Sequence, residues 1–302
     1  MAETKTDDLD EPIIGEQPPK GRVLIIAGSD SGGGAGIQAD IKTCAAFGAY
    51  SSTAITAVTA QNTLGVQQIE MMPPELVRAQ IQSVMSDIGA DVIKIGMLGS
   101  VEIVNIVAEE IDKANAYIIL DPVMVATSGD ALFEGDVVAA MKEKLVPLCD
   151  VITPNVPEAA LLTGIEVNDI DDMSKAGDAL LAMGAYAAVM KGGHLKGKSM
   201  IDVLVSEDGA QIMSGPRLHS RHTHGTGCTL ASAIAAGMAL GQPLEAAVQL
   251  ARDFVFEGIR TAPKFGAGNG PLNHGLADLS EDEGDGPEPD SSNPFAALKG
   301  LT

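Results

Sequence analysis

The chain has 302 residues, of which 45% are apolar, enough for one large α/β domain or two small ones. A net charge of −22, 3% aromatic residues and no tryptophan exclude the nucleic-acid-binding class, which needs basic and stacking side chains. Three cysteines without a C-x-x-C pair argue against a disulfide framework or a zinc site. An acidic N-terminus and the lack of an apolar run of about 18 residues argue against a secretion signal or membrane segment. We expect a cytoplasmic globular protein.

Both ends of the chain are acidic and poor in large apolar residues. Residues 1–20 contain six acids and two bases, and residues 278–302 contain seven acids and one base. Segments of this composition bury too little apolar surface to offset the loss of chain entropy on folding. We therefore expect two disordered acidic tails on either side of one folded domain at residues 21–277.

The folded part begins with a strand, a loop and a helix. Residues 22–27 form a short continuous apolar run, which predicts a strand buried on both faces. Residues 28–36 are rich in glycine, and the helical spacing that follows ends at Gly48, a suitable C-cap. Residues 50–58 predict the second strand.

The same unit then recurs along the chain. Four further buried strands are predicted at residues 91–95, 117–120, 150–153 and 187–190. Helices are predicted at residues 74–88 and 101–115, from about residue 228, and at residues 244–261. Residues 201–213 change pattern and predict a hairpin that turns near Asp208 and Gly209. Alternating strands and helices predict a mostly parallel sheet with helices on both faces.

Polar, glycine and methionine residues follow the ends of the predicted strands. They are Gly28, Gln61, Met97, Asp121, Asn155 and Lys191. In an open parallel sheet the carboxyl ends of the strands form the edge at which ligands bind. The sequence therefore places these six side chains around one crevice.

Residues 221–240 contain a glycine turn that leads into a helix of small residues. Gly225 and Gly227 allow free N–H groups of the first helical turn to converge on phosphate or on developing negative charge. No lysine follows the glycines, so this is not a Walker A loop. Cys228 lies where the helix is predicted to begin, a position that commonly lowers a thiol pKa, which makes it a candidate reactive group. The alternative is tight packing around a small buried cysteine.

Parts of the sequence fit two reaction classes. Residues 34–39 fit G-x-G-x-x-A after the first strand, but residues 45–69 contain no acid for a ribose hydroxyl, which argues against a nicotinamide enzyme. Phosphoryl transfer fits better, because it needs a cation, a metal and amide donors around the phosphate. Lys191 supplies the cation, and the oxygen ligands for Mg²⁺ would come from Asp121, Asn155 and Glu158. Taken singly, each of these is also an ordinary strand-end, turn or cap residue.

The acceptor side of the crevice has its own candidates. The amide of Gln61 can donate and accept hydrogen bonds at once, which suits the edge of a heteroaromatic ring, although it could equally bond within its loop. Met97 could form an apolar wall or fill the core.

The chain resembles one family through eight motifs in a fixed order between residues 22 and 274. They are AGSDSGGGAGIQAD (27–40), TAQNT (59–63), KIGML (94–98), DPVM (121–124), TPNVPEA (153–159), MKGGH (190–194), THGTGCTL (223–230) and GNGPLNH (268–274). By these motifs the chain is similar to the hydroxymethylpyrimidine/phosphomethylpyrimidine kinases of thiamine biosynthesis, within the ribokinase-like superfamily. The resemblance implies a three-layer α/β sandwich. It also implies ATP-dependent phosphorylation of 4-amino-5-hydroxymethyl-2-methylpyrimidine, then of its monophosphate, with ATP, Mg²⁺ and a homodimer.

The resemblance also implies a role for individual residues. The pyrimidine would be bound by Gln61, with Gly28, Ala35, Asp40, Met97 and Val123 around it. ATP would be bound by Lys191, Asn155, Thr226 and Gly227, and Mg²⁺ by Glu158 and Asp121. Residues 225–228 would form the anion hole, with Lys191 acting on the phosphates and Cys228 as the base. One departure is His222, which stands where such kinases often carry asparagine.

Two alternatives remain open from the sequence. Pyridoxal or pyridoxine kinases share this fold, and a dual-specificity enzyme would carry the same motifs. A catalytically idle ligand sensor on the same fold is the second alternative, and the presence together of Lys191, Glu158 and Cys228 argues against it.

Overall fold

The computed structural model describes residues 21–124 and 135–275. The tails predicted at residues 1–20 and 278–302 lie outside the described residues. The described part forms one sheet of nine strands: β1 (Arg22–Asp30), β2 (Tyr50–Asn62), β3 (Gly65–Met71), β4 (Val92–Ile95), β5 (Tyr117–Leu120), β6 (Val151–Ile152), β7 (Ala187–Lys191), β8 (Ser199–Ser206) and β9 (Gly209–Pro216). Its helices are α1 (Gly36–Phe47), α2 (Pro74–Asp87), α3 (Val101–Ile111), α4 (Gly135–Lys144), α5 (Val156–Thr163), α6 (Ile170–Ala182), α7 (Thr226–Ala239) and α8 (Leu244–Arg260).

The sheet is parallel at its centre and antiparallel at its edges. The strand order is β3-β2-β1-β4-β5-β6-β7-β8-β9. The six strands from β2 to β7 in this order pair in parallel, whereas β3, β8 and β9 join in antiparallel fashion. The carboxyl ends of the six parallel strands therefore share one edge, as the sequence predicted.

Helices cover both faces of the sheet, which confirms the predicted three-layer sandwich. One apolar cluster joins the sheet to α2, α3, α4, α5 and α6, and a second joins its other face to α1, α7 and α8. Helix α7 packs closely because its residues are small: a Cβ atom at Gly237 would lie 3.0 Å from Cβ of Ala247 in α8. In the part of the chain described, no helix has the length and apolar character needed to cross a membrane.

Three of the parallel strands are longer than predicted, β7 by the one residue Lys191, and one strand was missed. β1 continues through Gly28 to Asp30 because Asp30 pairs with Thr59 of β2. β2 continues through Gln61 because the antiparallel β3 pairs with it as far as Asn62. The prediction that Gly28, Gln61 and Lys191 follow their strands is therefore wrong, although all three still lie at the carboxyl edge of the sheet.

The three tyrosines of the chain lie at the edge of the sheet where the parallel strands begin, opposite the carboxyl edge. Tyr50 begins β2, Tyr117 begins β5, and Tyr186 directly precedes β7. Their exposures are 51%, 55% and 61%. They mark the amino ends of three parallel strands.

Candidate active site

Lys191 lies between two carboxylates at the carboxyl edge of the sheet. It is the last residue of β7, and its Nζ is 2.8 Å from Oδ1 of Asp121 and 3.7 Å from Oε2 of Glu158. Asp121 directly follows β5, and Glu158 lies in the first turn of α5. Three neighbouring loops thus bring one ammonium and two carboxylates together.

The first turn of α7 lies against this lysine. Gly225 is the N-cap with φ of 84°, a conformation that favours glycine, and a side chain there would collide with the carbonyl group of Gly34. A Cβ atom at Gly227 would lie 3.2 Å from Nζ of Lys191. The structure therefore brings the ammonium of Lys191 to the amino end of α7, where backbone N–H groups are free to bind an anion. The helix begins at Thr226, so Cys228 is its third residue rather than its first.

The carboxylate of Asp121 has one unsatisfied oxygen. Oδ1 accepts hydrogen bonds from Lys191 and, at 3.2 Å, from Thr153, whereas the buried Oδ2 has no hydrogen-bond partner among the described residues. A buried charged oxygen without a partner costs free energy unless something binds it. An oxygen of this type is a suitable ligand for a hard cation.

Glu158 is held in a capping box with Asn155. The Asn155 side chain accepts from the backbone N–H of Glu158, and the Glu158 carboxylate accepts from that of Asn155 at 2.8 Å. Burial raises the pKa of Glu158 to about 7, while the charge of Lys191 acts in the opposite direction. Among residues 21–124 and 135–275, no group of three or more His, Cys, Asp or Glu side chains could hold a metal ion alone. Two carboxylates completed by water and substrate phosphate would instead fit Mg²⁺.

Cys228 is partly exposed above a buried charge cluster. Burial raises the pKa of its thiol to about 12, the negative charges of Asp40 and Asp121 raise it further, and the positive charge of Lys94 opposes them. The expectation of a lowered thiol pKa at this helix end is therefore wrong. At neutral pH Cys228 is a thiol, which can donate or accept a hydrogen bond.

The predicted acceptor residues lie at the other end of the crevice. The sulfur of Met97 would be 3.2 Å from a Cβ atom at Gly28, so the two residues are in contact. Ala35 precedes α1, and its backbone N–H donates to Asp30 at 2.9 Å. Val123 is half-buried, two residues after Asp121. Gln61 lies near His224, because the Nε2 atoms of the two side chains are 3.4 Å apart.

Asp40 lies beneath the crevice rather than on its surface. Its carboxylate accepts two hydrogen bonds from Lys94, at 2.9 and 3.0 Å, and one from Ser232 at 2.7 Å. All three side chains are buried. Ser232 is one helical turn after Cys228, so this network joins the floor of the crevice to α7.

Sequence reasoning assigned no role to Lys94, Asp30 or His224. Lys94 could have been found, because a lysine inside a strand that is otherwise apolar needs a buried acidic partner. Asp30 and His224 are 194 residues apart and meet only in the folded chain, where His224 Nε2 is 2.8 Å from Asp30 Oδ2. His222 is buried, and its Nδ1 has no hydrogen-bond partner among the described residues.

Comparison with known proteins agrees with this geometry. A sequence model described as phosphomethylpyrimidine kinase matches residues 30–273. A hydroxymethylpyrimidine/phosphomethylpyrimidine kinase of Streptomyces coelicolor is 48% identical over 255 residues, which are 84% of this chain and 94% of that protein. The crystal structure of a phosphomethylpyrimidine kinase from Clostridium difficile is 41% identical, covers 80% of this chain and all of its own, and has a TM-score of 0.72. Pyridoxal kinase from Staphylococcus aureus, in complex with AMP-PCP and pyridoxal, is 33% identical with a TM-score of 0.80, over 87% and 96% of the two chains. The chain belongs to the phosphomethylpyrimidine kinase family, on a ribokinase-like fold.

Proposed function

We propose that this protein is an ATP-dependent kinase of thiamine biosynthesis. It phosphorylates the hydroxymethyl group of 4-amino-5-hydroxymethyl-2-methylpyrimidine and then the resulting monophosphate to the diphosphate. The observation that carries the proposal is the position of Lys191, whose ammonium lies between Asp121 and the first turn of α7. The names of the relatives in Streptomyces coelicolor and Clostridium difficile support the choice of substrate.

Lys191 and the amino end of α7 act on the phosphates. The ammonium and the backbone N–H of Gly227, next to it in the first turn of α7, stabilise the negative charge that spreads over the transferred phosphoryl group. Thr226 supports this turn, because its backbone N–H donates to the carbonyl oxygen of Thr223. Asn155 orients this region through its capping box with Glu158. The AMP-PCP bound by the pyridoxal kinase from Staphylococcus aureus supports a nucleoside triphosphate as donor.

Mg²⁺ is the metal that the carboxylates fit. Asp121 offers its unsatisfied Oδ2, and Glu158 offers a carboxylate beside it. When bound, the ion neutralises charge on the donor phosphates. The protein keeps both carboxylates within reach of Lys191. The positive charges of the ion and of Lys191, together with the amino end of α7, would then act on the same phosphate groups.

On the acceptor side, Gln61 recognises the pyrimidine edge, and Gly28, Ala35, Met97 and Val123 enclose the ring, while Asp40 supports this region from below. We assign Cys228 as the residue next to the alcohol that is deprotonated. Because its pKa is raised to about 12, the neutral thiol hydrogen-bonds to the alcohol. In a loose phosphoryl-transfer transition state the alcohol proton leaves late and can pass to an oxygen of the transferred phosphoryl group. Cys228 can accept that proton only in its thiolate form, which is the minor form at neutral pH.

Mass spectrometry of one reaction tests the proposal. The protein is incubated with ATP, Mg²⁺ and the pyrimidine alcohol, and pyridoxal is tested in a parallel reaction, with EDTA controls for both. We expect the monophosphate and then the diphosphate of the pyrimidine. The likeness to the pyridoxal kinase favours pyridoxal as a second acceptor. Phosphorylation of pyridoxal alone would replace the proposal with pyridoxal kinase, and phosphorylation of neither would refute both.

Two further properties are proposed with the function. We propose a cytoplasmic homodimer, in keeping with three free cysteines and with apolar residues exposed on the β2–β3 hairpin. Val58 and Leu64 on this hairpin are 44% and 69% exposed. Light scattering after size-exclusion chromatography tests the dimer, since a monomer at micromolar concentration would contradict it.

A further inference from the structure

The buried residues Asp30 and His224 lie behind Gln61, the side chain proposed to hydrogen-bond to the acceptor ring. Asp30 Oδ2 is 2.8 Å from His224 Nε2, and the same nitrogen is 3.4 Å from Nε2 of Gln61. We infer that His224, held by Asp30, fixes the orientation of the Gln61 amide and so sets the hydrogen-bonding pattern offered to the ring. His224 is thus a positioning residue, and the inference rests on the proposed function.

His224 is held in place from several sides. Its backbone N–H donates to the carbonyl oxygen of Gly270 at 3.1 Å, and a Cβ atom at Gly34 would come within 2.5 Å of its ring. Asp30 is itself anchored, because its carboxylate accepts backbone N–H groups from Gly32, Gly34 and Ala35 at 2.8 to 3.1 Å. An aspartate bound only by donors stays ionised, so the ring nitrogen that faces it carries the proton.

The proton on Nε2 of His224 then determines whether the nitrogen or the oxygen of the Gln61 amide faces this histidine. An Nε2–H group of His224 that donates to Asp30 cannot accept from an amide nitrogen, so the oxygen of Gln61 must face it. On the other side, the hydroxyl of Thr59 lies 3.2 Å from the atom placed as Oε1 of Gln61 and 3.0 Å from the carbonyl oxygen of Ser29. When its one hydrogen goes to Ser29, the hydroxyl can accept from the Gln61 nitrogen, so Thr59 is compatible with this orientation. Amide orientation is assigned from such networks, and the protonated Nε2 of His224 requires the reverse of the placement that directs the Gln61 nitrogen to His224 and its oxygen to Thr59.

This orientation matches one edge of the proposed acceptor. The amide retains one free N–H donor and one free oxygen lone pair, side by side. An aminopyrimidine presents a ring nitrogen that accepts and an exocyclic amine that donates, also side by side. With the amide reversed, donor would face donor and acceptor would face acceptor, which leaves polar groups unpaired at a cost of about 1–3 kcal/mol each.

The test compares two acceptors in three proteins. The acceptors are the pyrimidine alcohol and its analogue without the 4-amino group. The proteins are the parent, His224→Leu, which removes the donor, and His224→Gln, whose amide nitrogen can bond to Asp30 and Gln61. His219→Leu is the matched control, because His219 is an exposed histidine five residues earlier in the chain. The values of kcat and KM for each acceptor and for ATP are measured, with thermal unfolding to verify folding.

We expect the parent to prefer the amino acceptor about 10-fold or more in kcat/KM. In His224→Leu the KM for that acceptor should rise about 10-fold, the preference should fall below about threefold, and the KM for ATP should stay within about threefold. His224→Gln should recover most of the preference, and His219→Leu should behave as the parent. An undiminished preference in folded His224→Leu would overturn the inference, as would equal losses with both acceptors. A parent inactive on the pyrimidine alcohol would instead refute the proposed function.

Discussion

Nζ of Lys94 lies 2.9 Å from Oδ1 of Asp40, and neither side chain is exposed to solvent. Removal of one partner of a buried ion pair is strongly destabilising, because the remaining charge is then buried without a partner. We therefore predict that Lys94→Met lowers the free energy of unfolding by about 3–5 kcal/mol in urea denaturation. The double variant Lys94→Met/Asp40→Asn should recover at least half of that loss. Equal stability of the parent and Lys94→Met would contradict the prediction.

Replacement of Cys228 tests its role in turnover. Cys228→Ala should lower kcat about 100-fold with little change in the KM for the pyrimidine, because general acid–base groups contribute in this range and the substitution removes little contact. An unchanged kcat would remove the base role.

The acidity of the same thiol can be measured directly. With a pKa raised to about 12, Cys228 should react slowly with iodoacetamide at pH 7, and its rate should rise about tenfold for each pH unit through pH 9. Mass mapping distinguishes it from Cys44 and Cys149, which are buried. Rapid labelling of Cys228 at pH 7 would indicate a lowered pKa instead.

Lys191→Ala should raise the KM for ATP about 10-fold or more, because it removes the cation next to the first turn of α7. The KM for the pyrimidine should change far less. Lys175→Ala on α6 removes the same charge from an exposed position and serves as the control. Equal ATP kinetics in Lys191→Ala and the parent would contradict the phosphate assignment.

Asp121→Asn should raise the Mg²⁺ concentration needed for half-maximal activity about 10-fold, because an amide oxygen is a weaker ligand than a carboxylate. Titration with Mg²⁺ at saturating ATP measures this change, and EDTA should abolish the parent's activity. An unaltered Mg²⁺ requirement would place the ion elsewhere.

His274 is buried and bonded to the hydroxyl of Thr229 at 2.9 Å. Burial lowers its pKa to about 4, and the charge of Lys42 lowers it further. The unfolded chain binds this proton below about pH 6.5, whereas the folded chain does so only near pH 4. Stability should therefore fall as pH falls through this window, by up to about 3 kcal/mol. His274→Gln should show a shallower fall in urea denaturation between pH 6.5 and 4.5, and parallel curves would contradict the prediction.

Most of the central sheet could be predicted from the sequence because its strands are buried on both faces. β5, for example, is a continuous apolar run shortly before Pro122, and β4 is apolar except for Lys94 and is followed by Gly96. β3 could not be predicted, because Gly65–Met71 contains two glutamines and a glutamate and is stabilised by pairing with β2 at the edge of the sheet. The extensions of β1 and β2 also depend on pairing between strands rather than on local pattern.

The side chains at strand ends were predictable because the fold alone brings them together. Asp121 and Glu158 follow β5 and β6, and Lys191 ends the neighbouring β7, so their meeting follows from the strand order. The pairs that support the site were not predictable. Nothing local in the sequence links Lys94 to Asp40 or Asp30 to His224, and a thiol pKa depends on buried charges that only the folded chain brings near.

The positions of Tyr50, Tyr117 and Tyr186 have a consequence for spectroscopy. The chain has no tryptophan, and its tyrosines lie at the edge of the sheet away from the crevice. Intrinsic emission will thus report on global unfolding but little on ligand binding. A single tryptophan introduced at Val123 would be the sole indole in the protein, and its fluorescence would follow occupancy of the crevice without interference from any other indole.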